Sequence, residues 1–257
     1  MRLLVSSDWH LDAATAGMER LPELEAYVDA LVARLRVGTF DAFVHLGDFF
    51  DPGSLQECRL SATLFSMVER VHEAVGRSIW IAGNHDVVES SSGWSVLSPL
   101  SVASRAGWCG DPSGGMASPD VLTVPTALRL DYADAIVLAL PYVSRAAERD
   151  PETAARLADA LAAARARSPE TRLVVLGHFT IPGIVPGSEE EMVRGRDAVF
   201  PADAIASLRP DLVLNGHYHA RQTVACGGVR IEIPGAPLRM TFGERDDGER
   251  GWLEVEL

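Results

Sequence analysis

Cysteine is scarce in this sequence, and its spacing excludes two common kinds of scaffold. The 257 residues include three cysteines, Cys58, Cys109 and Cys226, and no CxxC pair. An odd number of widely separated cysteines does not fit a disulfide framework, and unpaired thiols do not fit a thiolate metal cage. We therefore expect incidental, reduced thiols.

Long apolar runs are also missing. No stretch approaches the roughly 18 residues that are needed to cross a bilayer. The N-terminal segment MRLLVSSDWH has no small-residue cleavage site and leads directly into polar residues, unlike a secretory leader. We expect a protein without a membrane segment and with a cytoplasmic location.

Positive charge is in the minority. Acidic residues outnumber Lys and Arg 36 to 23, which gives a formal net charge of −13. A surface of this kind repels polyphosphate backbones at long range, so the composition argues against tight, unaided binding to nucleic acid. Part of the excess would be neutralised if several carboxylates held divalent cations.

The sequence does contain an alternation of short Val-, Ile- and Leu-rich runs with helical patterns. Strands are predicted at 3–6, 42–46, 79–82, 135–140, 173–176, 212–214, 223–225, 229–233 and 253–256. Apolar periodicity predicts helices at 21–35 and 60–75. A third helix is predicted to run to Arg167 with Asp150 as its N-cap, and a fourth, shorter one to begin at Pro201. The earlier strands are nearly continuous in apolar residues, as strands covered on both faces are. This alternation predicts an α/β fold, and without a sharp boundary we expect a single domain over residues 1–257.

Side chains that can bind metals follow five of these predicted strands. They are Asp8 and His10 in SDWH, Asp48 and Asp51 in GDFFD, Asn84, His85 and Asp86 in GNHD, His178 in GH, and His217 and His219 in GHYH. In open α/β sheets, ligands bind at the carboxyl ends of the strands. Glycine, which precedes four of these groups, lets the backbone turn sharply and approach an ion. Five such groups together predict a binding site.

The residue types indicate which kind of site it is. Asp, Asn and His without thiolate suit Mn, Fe, Zn or Mg. Seven donors exceed what one tetrahedral ion needs and fit two ions, and two ions roughly 3.5–4 Å apart form the clamp used for in-line displacement at phosphorus. Residues two apart in extended chain lie on the same side at about 6–7 Å, so His217 and His219 suit adjacent ions.

The motifs DxH, GDxxD, GNHD, GH and GHxH, in this order between Met1 and about Ala220, resemble the calcineurin-like metallophosphoesterase family. The resemblance implies a four-layer α/β/β/α sandwich and two divalent metal ions with a bridging hydroxide that attacks phosphorus. It also implies the ligands: Asp8, His10 and His219 for one metal, Asn84, His178 and His217 for the other, and Asp48 bridging both.

The same resemblance implies roles for two residues beside the ligands, His85 and Asp51. His85 would steady the phosphate and protonate the leaving oxygen. Asp51 matches the position that orients that histidine. Asp86 is expected to cap the turn that follows it.

Two further stretches resemble the nuclease core of the SbcD-type DNA repair exonucleases. They are IPGAPLRMTFGERDDGERGWLEVEL, at 233–257, and GHFTIPGIVPGSEEEMVRGRDAVF, at 177–200. The resemblance implies a minimal SbcD-like nuclease that uses two Mn²⁺ ions to cleave DNA. It also implies an SbcC-type ATPase partner. That subgroup continues into a capping domain and a docking segment, and we expect neither here, which argues against the partner.

Other functions stay open beside the nuclease. The composition and charge favour a phosphodiesterase or phosphatase that acts on a small nucleotide or another phosphoester. A non-catalytic docking protein would be expected to have lost ligands, whereas all seven are present together with His85. For DNA, the arginines in or near the active-face loops could form a local basic rim or be ordinary solvated charges: Arg145, Arg194, Arg196, Arg221 and Arg239.

Overall fold

Two β-sheets packed face to face, with helices on their outer sides, form the frame of the protein. The computed structural model describes residues 1–51, 58–89, 94–105, 118–144, 150–182, 184, 199–244 and 248–257. The strands are β1 (Arg2–Ser6), β2 (Ala14–Thr15), β3 (Met18–Glu19), β4 (Ala42–His45), β5 (Ser78–Ile81), β6 (Val87–Glu89), β7 (Trp94–Ser95), β8 (Asp120–Leu122), β9 (Thr126–Leu130), β10 (Ala135–Leu140), β11 (Arg172–Gly177), β12 (Leu212–Asn215), β13 (Gln222–Cys226), β14 (Val229–Ile233) and β15 (Leu253–Glu256). The helices are α1 (Leu21–Val37), α2 (Cys58–Val75), α3 (Ser98–Arg105), α4 (Pro151–Arg165) and α5 (Ala202–Ser207).

Each large sheet has a parallel centre and antiparallel strands at its edges. The first sheet has the order β15-β1-β4-β5-β8, and the second has the order β13-β14-β12-β11-β10-β9. Strand β15 is antiparallel to β1, β9 to β10, and β13 to β14, whereas β1, β4, β5 and β8 run parallel, as do β10, β11, β12 and β14. Because the central strands are parallel, the carboxyl ends of the strands that carry the polar motifs all lie at the same end of their sheet.

The buried strands place alternate residues in two different cores. In β10, Val137 packs with Val5 and Val44 between the two sheets. Its neighbour Leu138 packs with Ala164 and other residues on the side of α4 and α5. A third core lies between the first sheet and helices α1 and α2. Because both faces of each sheet are covered, the strand sequences are apolar throughout. The predicted four-layer α/β/β/α fold is confirmed.

Sequence patterns located the long apolar strands and the helices around them well, but they missed several short elements. All nine predicted strands are present, with bounds within one residue of the prediction. Asp150 caps α4 as expected, since its carboxylate accepts a hydrogen bond from the Thr153 N–H at 2.8 Å. The prediction missed β2, β3, β6, β7, β8, β9 and α3, which are short or only half-buried and therefore carry little apolar periodicity. Among the described residues, no helix has the length and apolarity to span a membrane.

Candidate metal centre

The loops that follow β1, β4, β5, β11 and β12 converge at one end of the two sheets. The loop after β1 pairs with the loop after β4, since the Asp8 N–H donates to Gly47 O at 2.9 Å and the His10 N–H to Asp48 O at 3.2 Å. The two sheets meet at His178, whose Nδ1 lies 2.6 Å from the carbonyl oxygen of Leu46. All seven predicted ligands and His85 are therefore brought into one region.

Four of the predicted ligands have left-handed backbone conformations. Their φ angles are 54° at Asp8, 44° at His10, 59° at Asp48 and 78° at His217. Asp and His tolerate this region better than bulky residues do, but each instance still costs on the order of 1–3 kcal/mol. Such strain persists where the surrounding structure imposes it, and clusters of it occur at functional sites. Here it turns four donor side chains toward a common space.

Glycine is required where the loops close around His178. A Cβ atom on Gly47, whose φ is +95°, would lie 2.7 Å from His178 Nδ1 and 2.6 Å from Gly83 N. A Cβ atom on Gly216 would lie 2.9 Å from the same histidine nitrogen. Because real Cβ atoms do not approach so closely, these two glycines let the β4, β5 and β12 loops reach the histidine.

The first cluster of donors consists of Asp8, His10 and His219. One ligand atom from each lies within 4.8 Å of the others, and all three residues are buried. Asp8 Oδ2 and His10 Nε2 are buried and have no hydrogen-bond partner among the residues that the structure describes. Buried polar atoms without partners are costly, and a bound cation would satisfy both. The residues present therefore fit a divalent metal.

The second cluster consists of Asp48, His178 and His217, with Asn84 between the histidines. Asn84 Oδ1 lies 2.9 Å from His178 Nε2 and 2.8 Å from His217 Nδ1. Asp48 Oδ2 lies 3.3 Å from His178 Nε2. Because His178 donates its Nδ1–H to Leu46 O, its Nε2 is the nitrogen left to bind an ion. This oxygen and imidazole set also suits Mn, Fe or Zn.

The electrostatics of the two clusters favour a cation. Burial lowers the pKa of His10, but Asp51, Asp48 and Asp8 outweigh it and raise the pKa to about 10. Burial likewise opposes protonation of His178, and Asp48 raises the pKa of this histidine to about 9. The carboxylates thus keep the imidazoles of His10 and His178 protonated and positively charged. A divalent ion would replace the protons on these two rings.

His217 has the opposite shift. Burial, followed by the charge of His178, lowers the pKa of His217 to about 3. Its imidazole is therefore neutral at pH 7, which is the protonation state that a metal ligand requires.

His85 and Asp51 lie beside His10 of the first cluster, and one ligand atom from each of the three residues lies within 4.8 Å of the others. The His85 N–H donates to Asp48 Oδ1 at 2.9 Å, and His85 Nε2 lies 4.0 Å from Asp48 Oδ2. Asp51 Oδ1 lies 3.8 Å from His85 Nδ1 but 2.8 Å from His10 Nδ1. Asp51 is therefore closer to His10 than to His85. The expectation that Asp51 orients His85 stays a prediction.

The expectation for Asp86 was wrong. Among the described residues, its buried carboxylate accepts no hydrogen bond from the turn that follows it. Instead it accepts hydrogen bonds from the backbone N–H groups of Asp48 at 2.9 Å, Phe49 at 2.9 Å and Gly83 at 2.7 Å. Asp86 therefore ties the loop after β4 to the loop after β5. No local pattern indicates this role, because the amide partners at 48 and 49 are almost forty residues away.

Sequence reasoning also missed Glu244, which lies beside the first cluster. Its Oε1 lies 3.2 Å from His219 Nδ1, and its side chain is almost fully buried. The available signal was the FGE triplet at 242–244 in the tail, which carried no assigned role.

A cavity of about 230 Å³ opens over the two clusters. It is lined by His10, Ala13, Ala14, Asp48, Asp51, Asn84, His85, His217, His219, Met240 and Thr241. Of the arginines that could form a basic rim, the two that the structure describes, Arg221 and Arg239, do not line this cavity. Arg221 lies 3.9 Å from Glu249, and Arg239 donates its Nε–H to Glu244 O at 3.1 Å. Arg145, Arg194 and Arg196 lie outside the described residues.

Comparison with known proteins agrees with this geometry. The family model for calcineurin-like phosphoesterases matches residues 1–221. The chain is 29% identical to the SbcD component of nuclease SbcCD from Rhodobacter capsulatus, covering 95% of this chain and 64% of that protein. It is 27% identical to the same component from Bacillus subtilis, covering 95% of this chain and 63% of that protein. The chain therefore spans less than two thirds of these relatives.

A solved structure shares the fold. Phosphopantetheinyl hydrolase (PptH) from Mycobacterium tuberculosis superposes with a TM-score of 0.57 at 14% identity, over 98% of this chain and 95% of that one. At this level of identity the likeness concerns the arrangement of strands and helices, and the chemistry must be argued from the site itself.

Proposed function

Because the chain belongs to the calcineurin-like phosphoesterase family, we propose that it hydrolyses phosphodiester bonds with two divalent metal ions and that DNA is its substrate. The observation that carries the proposal is the convergence of the donors into two buried clusters. Their members come from five loops, and the first and last are separated by more than two hundred residues. Packing alone would not require oxygen and imidazole groups to face one another there.

The two clusters divide the ligands between the ions. We assign Asp8, His10 and His219 to one ion, and Asn84, His178 and His217 to the other, with Asp48 shared by both. When bound, a pair of such ions supplies Lewis acidity, which lowers the pKa of water and neutralises charge on phosphoryl oxygens. We propose Mn²⁺ as the metal, and Fe, Zn and Mg also suit this donor set.

His85 and Asp51 complete the proposed site. His85 lines the cavity at its mouth, where its imidazole can hydrogen-bond to a phosphoryl oxygen and donate a proton to the leaving oxygen. Burial lowers the pKa of His85, so its protonated imidazole is a stronger acid but is less populated at neutral pH. Asp51 would orient His85 once a substrate draws the two side chains together, since apo contacts of this kind are often long.

The choice of DNA rests on the relatives. Both are named as components of a nuclease, and they match this chain over 95% of its length. The net charge of −13 opposes unaided binding to a polyanion. The same observation favours a second candidate function, the hydrolysis of a small nucleotide or another soluble phosphodiester. The full ligand set argues against a non-catalytic docking role.

The decisive experiment is a substrate panel with purified protein and Mn²⁺. The substrates are single-stranded DNA, double-stranded DNA, cyclic nucleotides and an aryl phosphodiester, each with and without a chelator. We expect DNA degradation that the chelator abolishes and that Asp48→Asn lacks. Hydrolysis of the small esters alone would refute the nuclease proposal and leave the hydrolase intact. If no phosphodiester were cleaved with Mn²⁺, Fe²⁺, Zn²⁺ or Mg²⁺, the catalytic proposal would fail.

A further inference from the structure

The segment after β14 folds back against the first metal cluster. The Ala236 N–H donates to His219 O at 3.0 Å, which joins this segment to the backbone of a proposed ligand. Gly235, with φ +78°, permits the approach, because a Cβ there would lie 2.7 Å from His219 O. The segment lies beyond residue 221, where the family match ends.

This segment buries a carboxylate beside His219. Glu244 belongs to a 3₁₀ turn, Phe242–Glu244, and its side chain is 1% exposed. Its Oε1 lies 3.2 Å from His219 Nδ1. The ring nitrogen that faces a carboxylate carries the proton, so Nε2 is the His219 nitrogen left to bind an ion in the cluster with Asp8 and His10.

Several anchors hold Glu244 in place. Its Oε2 accepts hydrogen bonds from the Met240 N–H and from Arg250 Nη2, both at 3.0 Å. The Arg250 side chain is itself only 8% exposed, and its Nη1 donates to Ala236 O at 3.3 Å and Leu238 O at 3.1 Å. Arg239 Nε donates to the Glu244 carbonyl oxygen at 3.1 Å. A carboxylate fixed in this way can fix the ring that it contacts.

The two clusters differ in what supports their histidines. His178 in the second cluster donates to a neutral backbone carbonyl. His219 in the first cluster faces a charged carboxylate, which strengthens the imidazole as a donor to a metal ion. Loss of Glu244 should therefore affect the two ions unequally.

We propose that Glu244, held by Arg250, is a positioning residue that orients His219 and sets the affinity of the Asp8–His10–His219 cluster for its metal ion. The inference rests on the proposed metal centre. It adds a residue from outside the region that matches the family.

The test measures metal binding without substrate. Isothermal titration with Mn²⁺ is compared for wild type, Glu244→Gln and Glu244→Ala. Glu244→Gln keeps the shape and an oxygen acceptor, and Glu244→Ala removes the acceptor. We expect two binding steps in wild type, a 10- to 100-fold loss in one step for Glu244→Ala, and a smaller loss in the same step for Glu244→Gln. The other step should stay unchanged. The matched control is Glu254→Gln, an exposed glutamate paired with Arg34, which should leave both steps unchanged.

A second measurement does not depend on the folding of the variants. In wild type loaded with Zn²⁺, long-range ¹H–¹⁵N spectra of the histidine rings should show His219 protonated at Nδ1. Protonation at Nε2, equal losses in both binding steps, or unchanged affinity in Glu244→Ala would each overturn the proposal. If wild type bound no metal, the proposed metal centre itself would fail, so the two failures are distinguishable.

Discussion

Replacement of Asp86 tests whether a single buried carboxylate holds the metal-binding loops together. Its Oδ2 accepts from the Asp48 and Gly83 amides, and its Oδ1 accepts from the Phe49 amide. Asp86→Ala would leave three buried N–H groups without their acceptor. Asp86→Asn, with its carbonyl oxygen placed at Oδ2, would keep two of these bonds and turn an NH₂ group toward the Phe49 amide.

The magnitude follows from the number of bonds lost. A buried donor left without a partner costs about 1–3 kcal/mol. Asp86→Asn should therefore lower the free energy of unfolding by about 1–3 kcal/mol. Asp86→Ala should lower it by about 3 kcal/mol or more, with the total limited by water that enters the polar space. Since small proteins are stable by about 5–15 kcal/mol, Asp86→Ala removes a large share of the total.

The assay is urea unfolding in the presence of a chelator, so that metal binding does not contribute. Wild type, both Asp86 variants and Asp131→Asn are compared, since Asp131 is a 90%-exposed partner of Arg129. The Asp131 variant should change stability by less than about 1 kcal/mol. The reasoning is refuted if Asp86→Ala unfolds within about 1 kcal/mol of wild type, or if Asp86→Asn is the more damaging substitution.

Three further predictions concern the metal centre. Asp48→Ala should abolish binding of two ions, because one carboxylate serves both clusters; two ions counted by metal analysis would contradict this. His85→Ala should retain both ions and lose about 10²–10⁴-fold in turnover, whereas loss of a metal would show that His85 is a ligand. The affinity for Mn²⁺ should rise as pH increases from 6 to 9, because the raised pKa values of His10, about 10, and His178, about 9, mean that protons must leave before a metal binds. Competition titrations with a calibrated chelator at several pH values would detect a flat profile, which would contradict the prediction.

The central strands and the candidate ligands could be predicted because their signals are local. A strand covered on both faces must be apolar along its whole length, and β10 shows this in six consecutive buried residues. A donor after a glycine at the end of such a strand, as at Asp48, indicates a loop that faces a ligand. Parallel pairing then brings these loops together at the carboxyl ends of the strands. The candidate ligands could therefore be identified from the motifs that follow each strand.

The elements that the sequence patterns missed, such as β9 and α3, show weaker apolar periodicity. Strand β9 has only one buried residue among its five, and α3 has only eight residues, four of which are Ser or Arg. A short element that buries one side against an existing core needs few apolar residues. Its pattern is therefore hard to distinguish from that of a loop.

The sequence by itself determined which residues could bind metal and which fold could gather them, because strand burial and loop chemistry are properties of neighbouring residues. Tertiary structure alone decided which groups support those ligands: Asp86 beneath the Asp48 loop, Glu244 behind His219, and Asp51 closer to His10 than to His85. These contacts join parts of the chain distant in sequence. They depend on how loops pack to within an ångström, which no local pattern of residues encodes.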